Sequence, residues 1–174
     1  MNLLQNAITA MVTLLAVALG GVLSVRNSDR SWHRDHAQKW RDIRLEIYGE
    51  FLSAYRQYMI CALDPNSQVL GMERANLPSD PIPIFDETGR PYKEKLDATL
   101  MSVRLVSERP ETVIAVNQLA RAVRRLAASR VNHGVDDLPG ELFESTFRAQ
   151  HDFVRAVRLE LGLSEIPMGN GDLP

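Results

Sequence analysis

The chain has 174 residues, with 20 Lys and Arg against 22 Asp and Glu, a formal net charge of −2 and a single cysteine. That balance supplies no global positive field for nucleic acid, and the lone Cys61 excludes an internal disulfide. Set beside a helical N-terminal segment, the remaining length of roughly 140 residues suits one domain with its own core.

Met1–Val25 carries no charged side chain. Ala7–Val25 would reach about 28 Å as a helix at ~1.5 Å per residue, close to the ~30 Å hydrocarbon core of a bilayer. This predicts a transmembrane anchor over 1–25. The rival is a cleavable signal peptide, which wants a positive n-region and a small-residue cleavage site. Met1–Asn6 has neither Lys nor Arg, and apolar residues continue past Ala16-Val17-Ala18. Arg26, Arg30, Arg34, Lys39, Arg41 and Arg44 follow the segment. Basic residues beside a span stay on the cytoplasmic side, so the expected arrangement is a single-pass cell-membrane protein with its C-terminal domain in the cytoplasm. Residues 26–39 form a basic juxtamembrane stalk in this reading, with Arg26, Arg30, Trp32 and Arg34 at the interface. The plain role of that flank is a topology signal. Gly20-Gly21, with Ala16, offers small residues of the kind that line helix contacts in lipid.

From Trp32 to Leu63, Trp40, Ile43, Ile47, Phe51, Tyr55 and Met59 recur at helical spacing, widened by Tyr48 and Leu52. Asp64-Pro65 ends that helix, because the residue before proline is pushed out of the α region. Asn66–Arg90 reads as a long connection with a short helix near Gln68–Ala75. Its Pro81–Phe85 run reads as an extended strap, whose Ile82, Ile84 and Phe85 either cover the core or, exposed, bind a partner. Cys61 reads as a packed small hydrophobe.

Pro91 suits the first turn of a helix to about Glu108, with Tyr92, Leu96, Leu100 and Val103 on one face. Pro110 opens the next, to about Val131, with Val113, Val116, Leu119, Val123 and Leu126 inward. Asn132-His133-Gly134 makes a turn. Pro139 opens a last helix to about Leu161, with Phe143, Phe147, Val154, Val157 and Leu161 inward, and Gly162 suits the position after it. Strand-type alternation is not convincing anywhere. The fold class expected is therefore all-α, an N-terminal transmembrane helix followed by a four-helix bundle over 40–163, with a loose tail at 164–174.

Arg41–Tyr55 (RDIRLEIYGEFLSAY), placed behind a span and an arginine-rich flank, and the closing run Phe153–Gly162 resemble a family of small, single-span helical proteins of high-GC Gram-positive bacteria. The resemblance covers most of the chain. It implies the anchored helical architecture and carries no activity, cofactor or site residue with it.

The chemical constellations are thin. His33 and His36 stand three apart beside Asp35, but structural zinc wants four ligands and none is adjacent. Glu141, Glu144, His151 and Asp152 share the last helix, yet no Glu-x-x-His occurs, as a di-iron bundle requires. Glu144 and His151 could form a buried pair; a surface network with Arg148 and Arg155 is favoured. Arg121, Arg124 and Arg125 form a basic face on the third bundle helix, followed by Arg130. That face reads as paired with the acidic last helix, or second as a partner-docking surface. No nucleophile elbow, phosphate loop or HExxH motif is present.

The expectation is a non-enzymatic interaction module without cofactor or metal. The bilayer would hold it through residues 7–25, and it would carry a protein partner or a second copy of itself. Arg121, Arg124, Arg125, Ile82, Ile84 and Phe85 are its candidate contacts. The alternative is an envelope-facing or secreted helical domain that binds a ligand.

Overall fold

A computed structural model describes residues 36, 38–74 and 77–164. The anchor over 7–25, the interface residues Arg26, Arg30, Trp32 and Arg34, and His33 lie outside these, as does the tail from 165. Among the described residues no helix is long and apolar enough to cross a membrane.

The chain divides into two units, Met1–Asp42 and Ile43–Pro174. In the first, the described residues 36 and 38–42 are helical, and the Trp40 indole N–H donates to His36 Nε2 at 3.1 Å. The second is a helical bundle. Its elements are α1 (43–63), β1 (Val69–Arg74), β2 (Leu77–Phe85), α2 (Arg90–Val106), α3 (Pro110–Ser129) and α4 (Gly140–Glu160).

Local chemistry sets the helix boundaries. Pro91 and Pro110 occupy the first turns of α2 and α3, where a missing N–H costs nothing. At the end of α4, Gly162 takes φ +67. Its N–H bonds the Leu159 carbonyl at 3.2 Å, and the Leu163 N–H bonds that of Arg158 at 2.8 Å. These paired bonds close the helix, and the left-handed residue between them is a glycine because a Cβ would be strained there. After α1, the Asp64 carboxylate accepts the Asn66 N–H at 2.9 Å, turning the chain.

Contacts between helix ends give the topology. Arg44 and Tyr48, early in α1, meet Val106 to Glu108 after α2, while Tyr48 and Thr112 both meet Glu160 at the end of α4. At the other end, Arg130 after α3 reaches the carbonyls of Ala62 and Asp64. The helices therefore run alternately up and down.

The core departs from the expected stripes in a consistent way. α1 buries Tyr48, Phe51, Ala54, Tyr55, Tyr58 and Ala62, at helical spacing but turned toward its tyrosines. Ile43 is 42% exposed, and Ile47 and Met59 are half-buried. Tyr92 and Phe147, expected inward, are exposed, whereas Phe153, outside the expected face of α4, is fully buried. Its ring stands edge-on to Phe51 at 5.2 Å and to Tyr48 at 6.1 Å between centroids. Aromatic bulk outranks aliphatic periodicity here, because each buried ring removes more surface from water and adds edge-to-face attraction. Leu96, Leu100, Val103, Val116, Leu119, Val123 and Leu126 fill the interior as their spacing implies.

The connection after α1 corrects two expectations. Val69–Arg74, expected within a short helix, is a strand, and Pro81–Phe85 is not an isolated strap: β1 and β2 pair as an antiparallel hairpin. The register sets Val69 against Phe85, Leu70 against Ile84 and Gly71 against Pro83. Pro78, Pro81 and Pro83 hold β2 extended. Pairing to that ready strand satisfies the backbone of 69–74 better than an isolated short helix, which is marginal in water. A Cβ at Gly71 would stand 3.1 Å from Val131 Cγ2, so this glycine lets the hairpin approach the end of α3.

Candidate functional site

The strongest polar assembly lies where the chain enters the bundle. Glu160 Oε1 accepts the Tyr48 hydroxyl and the Glu108 N–H, each at 2.9 Å, and Oε2 accepts the Thr112 hydroxyl. Tyr48 also meets Ser107 Oγ at 3.2 Å, and Ser107 in turn donates to the Val103 carbonyl. Arg44 donates to the Val106 carbonyl at 3.0 Å and pairs with Glu108. One carboxylate thus ties α1, the α2–α3 turn, α3 and α4 together, close to the N-terminus of α3, where a negative charge is favoured. Burial pushes the Tyr48 phenol up to about 12 against the pull of Ser107, and the Glu160 charge adds to the rise. This is a structural clasp. Both oxygens of Glu160 and the Tyr48 hydroxyl are taken up by these neighbours.

At the far end, Tyr58 is 1% exposed and stands edge-on to Phe85 at 5.1 Å. Its hydroxyl is buried and has no hydrogen-bond partner among the described residues. Burial also raises the Tyr58 phenol well above its usual value, with Arg124 pulling the other way. Tyr55, hydrogen-bonded to Met59 Sδ at 3.4 Å, is pushed up to about 12 by burial. The Asp86 carboxyl before α2 is held low by the Thr88 hydroxyl and the Gly89 N–H. A Cβ at Gly89 would fall 2.7 Å from the Phe85 side chain, so glycine is required under that ring.

The arginine face is divided. Arg124 is half-buried and donates to Asp97 Oδ1 of α2 at 2.6 Å; Asp97 also takes Lys93 at 3.1 Å. Its partner is therefore α2, not the acidic last helix. Arg121 and Arg125 are exposed. Arg130 is neither a pairing nor a docking group, because its guanidinium caps the last carbonyls of α1. The predicted strap residues also separate. Phe85 is buried under Tyr58, Ile84 is 39% exposed beside its cross-strand neighbour Leu70 at 66%, and the side chain of Ile82 lies outside the described part.

Comparison with known protein families, curated proteins and solved structures found no match. Among the described residues no three His, Cys, Asp or Glu side chains converge as a metal site. Glu144 is exposed and His151 lies 3.9 Å from Asp152 in sequence-adjacent contact, so the Glu144–His151 pair is not formed. Cys61 is half-buried, its Sγ 3.4 Å from the Ser67 hydroxyl. The residues missed from sequence were Glu160, Tyr58 and Leu70. Glu160 looked like one more acid in a charged helix, and only the arrival of three other segments gives it a role.

Proposed function

We propose that the chain is a membrane-anchored interaction module. Residues 7–25 hold it in the bilayer, and the helical bundle binds a partner protein or a second copy of itself on the cytoplasmic side. The observation that supports this reading is the distribution of the bundle's side chains. The carboxylates of Glu160 and Asp97 are taken up by internal partners, while the hairpin turns Leu70 and Ile84 to solvent. Paired apolar side chains standing out from a two-stranded sheet suit binding better than chemistry. Arg121 and Arg125 supply a second, electrostatic contact on α3.

The anchor and the module are tested separately. Full-length protein should remain in the pellet when membranes are washed with alkaline carbonate, and a C-terminal tag should survive protease added to intact spheroplasts. Release by carbonate removes the anchor from the reading; digestion of the tag turns the domain outward. A pull-down from detergent-solubilised membranes should yield a stoichiometric partner or a tagged–untagged pair of this chain, weakened by charge reversal at Arg121 and Arg125. Recovery of the chain alone and monomeric would refute the module.

A further inference from the structure

The two outer edges of the hairpin are chemically unlike. The bond from the Asp86 N–H to the Gln68 carbonyl, 3.3 Å, sets the phase of the ladder. Leu70 and Ile84 therefore exchange bonds with each other, whereas Val69, Gly71, Pro83 and Phe85 turn their backbone groups outward. On β2 the outward residue at 83 is proline, with no N–H to offer, and Pro81 stands two residues before it. Proline on an edge is a common device against further pairing. β1 has no such protection at Val69 and Gly71, and Leu70 and Gly71 are both exposed.

The phase also selects what fits that edge. Its open groups are backbone donors and acceptors, so the occupant is an extended strand. Among antiparallel registers that pair outward residues of β1 with outward residues of a second β1, one sets Leu70 against Leu70. In it each Val69 faces the Gly71 of the other copy, and the two exchange N–H and carbonyl bonds in both directions. Leu70 then falls at a closely spaced position, with Cβ atoms roughly 4.5–5.5 Å apart. The apolar row runs Ile84, Leu70, then the second copy's Leu70 and Ile84. It sets the two Leu70 side chains, each now 66% exposed, against one another.

We propose that β1 is a self-association edge, through which two copies of this chain join their hairpins into one antiparallel sheet about a twofold axis at Leu70. An interface of this kind is isologous and closes on itself, so it stops at a dimer. The proposal deepens the interaction-module reading by naming the occupant, and it does not depend on the anchor.

The test uses the full chain in mild detergent, with the protein mass followed by light scattering over a roughly hundredfold concentration range, enough to resolve a micromolar dimer. Val69→Pro removes one outward donor at the first strand residue and leaves every β1–β2 bond in place. Leu70→Lys sets a charge on each side of the axis. Each should weaken the dimer at least about tenfold while the helical circular dichroism is unchanged. A wild-type chain that stays monomeric throughout overturns the proposal. So does a dimer that survives both substitutions, since another surface, the anchor included, must then hold it. Should either variant unfold, amide exchange of the wild type decides: the Val69 and Gly71 amides should exchange more slowly at the higher concentration, and equal rates would refute the edge.

Discussion

At the end of the bundle where the chain enters, one carboxylate gathers hydroxyls and an N–H from three other segments, and the Tyr48 hydroxyl is fully used. At the opposite end an equally buried tyrosine, Tyr58, lies against Phe85, its hydroxyl without a partner among the described residues. The first end is held by directional bonds that fix the relative register of the helices. The second is held by rings, by Arg130 on the α1 carbonyls, and by a hairpin. Two tyrosines ten residues apart on one helix therefore carry different tasks, and the difference lies in what each ring tip meets. The first end closes on a single side-chain carboxylate, the second on an arginine, a backbone ladder and ring packing.

The largest effect is expected at a residue beside the clasp. Phe153→Ala should cost about 3–5 kcal/mol in urea unfolding, because a fully buried ring is lost from between Tyr48 and Phe51. A loss below about 1 kcal/mol would mean that this end collapses around the cavity. Next comes the hairpin end. Gly89→Ala should cost about 1–3 kcal/mol by forcing Phe85 off Tyr58, visible as selective loss of amide protection in β2.

The tyrosine pair sharpens the contrast. Tyr48→Phe should lose about 1 kcal/mol, since it leaves Glu160 and Ser107 short of a partner. Tyr58→Phe should be neutral or stabilising by up to about 1 kcal/mol, because it removes a buried hydroxyl with no partner. Equal losses at both sites would erase the distinction between the ends. The buried phenols also make stability depend on pH. The Tyr48 phenol is held at about 12 in the fold against 10.0 in the unfolded chain. The native state thus binds that proton more tightly. Its contribution is complete below pH 10 and is lost as the pH rises toward 12. Tm measured across that window should fall, and Tyr48→Phe should flatten part of the fall, with Tyr55 and Tyr58, both raised by burial, supplying the rest. The smallest effect belongs to exposed Arg121: Arg121→Ala should stay within about 0.5 kcal/mol. Arg124→Ala should exceed it by breaking its pair with Asp97.

Much of the helical frame was legible in the residues alone. Pro91, Pro110 and Gly162 mark helix ends through restrictions that act within a turn of chain, and they stand where the structure begins and ends α2, α3 and α4. Leu96, Leu100, Val116, Leu119 and Val123 follow the 3.6-residue period into the core. The hairpin was not legible, because β1 is a strand only by virtue of β2, and a ladder depends on a partner distant from each residue's own neighbours. The buried face of α1 was misjudged for a related reason: Ile47 and Tyr48 are both apolar enough to face inward, and the choice falls to the Phe153 ring that arrives from α4.

The same division holds for the candidate surfaces. Sequence by itself determined the uncharged N-terminal segment with its basic flank, the four helices and the absence of a recognisable catalytic motif, since these depend on local composition and periodicity. Only the tertiary structure decided that Arg124 is consumed by Asp97, that Phe85 is core while Ile84 is surface, and that Glu160 is the clasp. Those outcomes are set by which groups meet across long separations in the chain, and residue order alone does not encode a meeting that packing must first bring about.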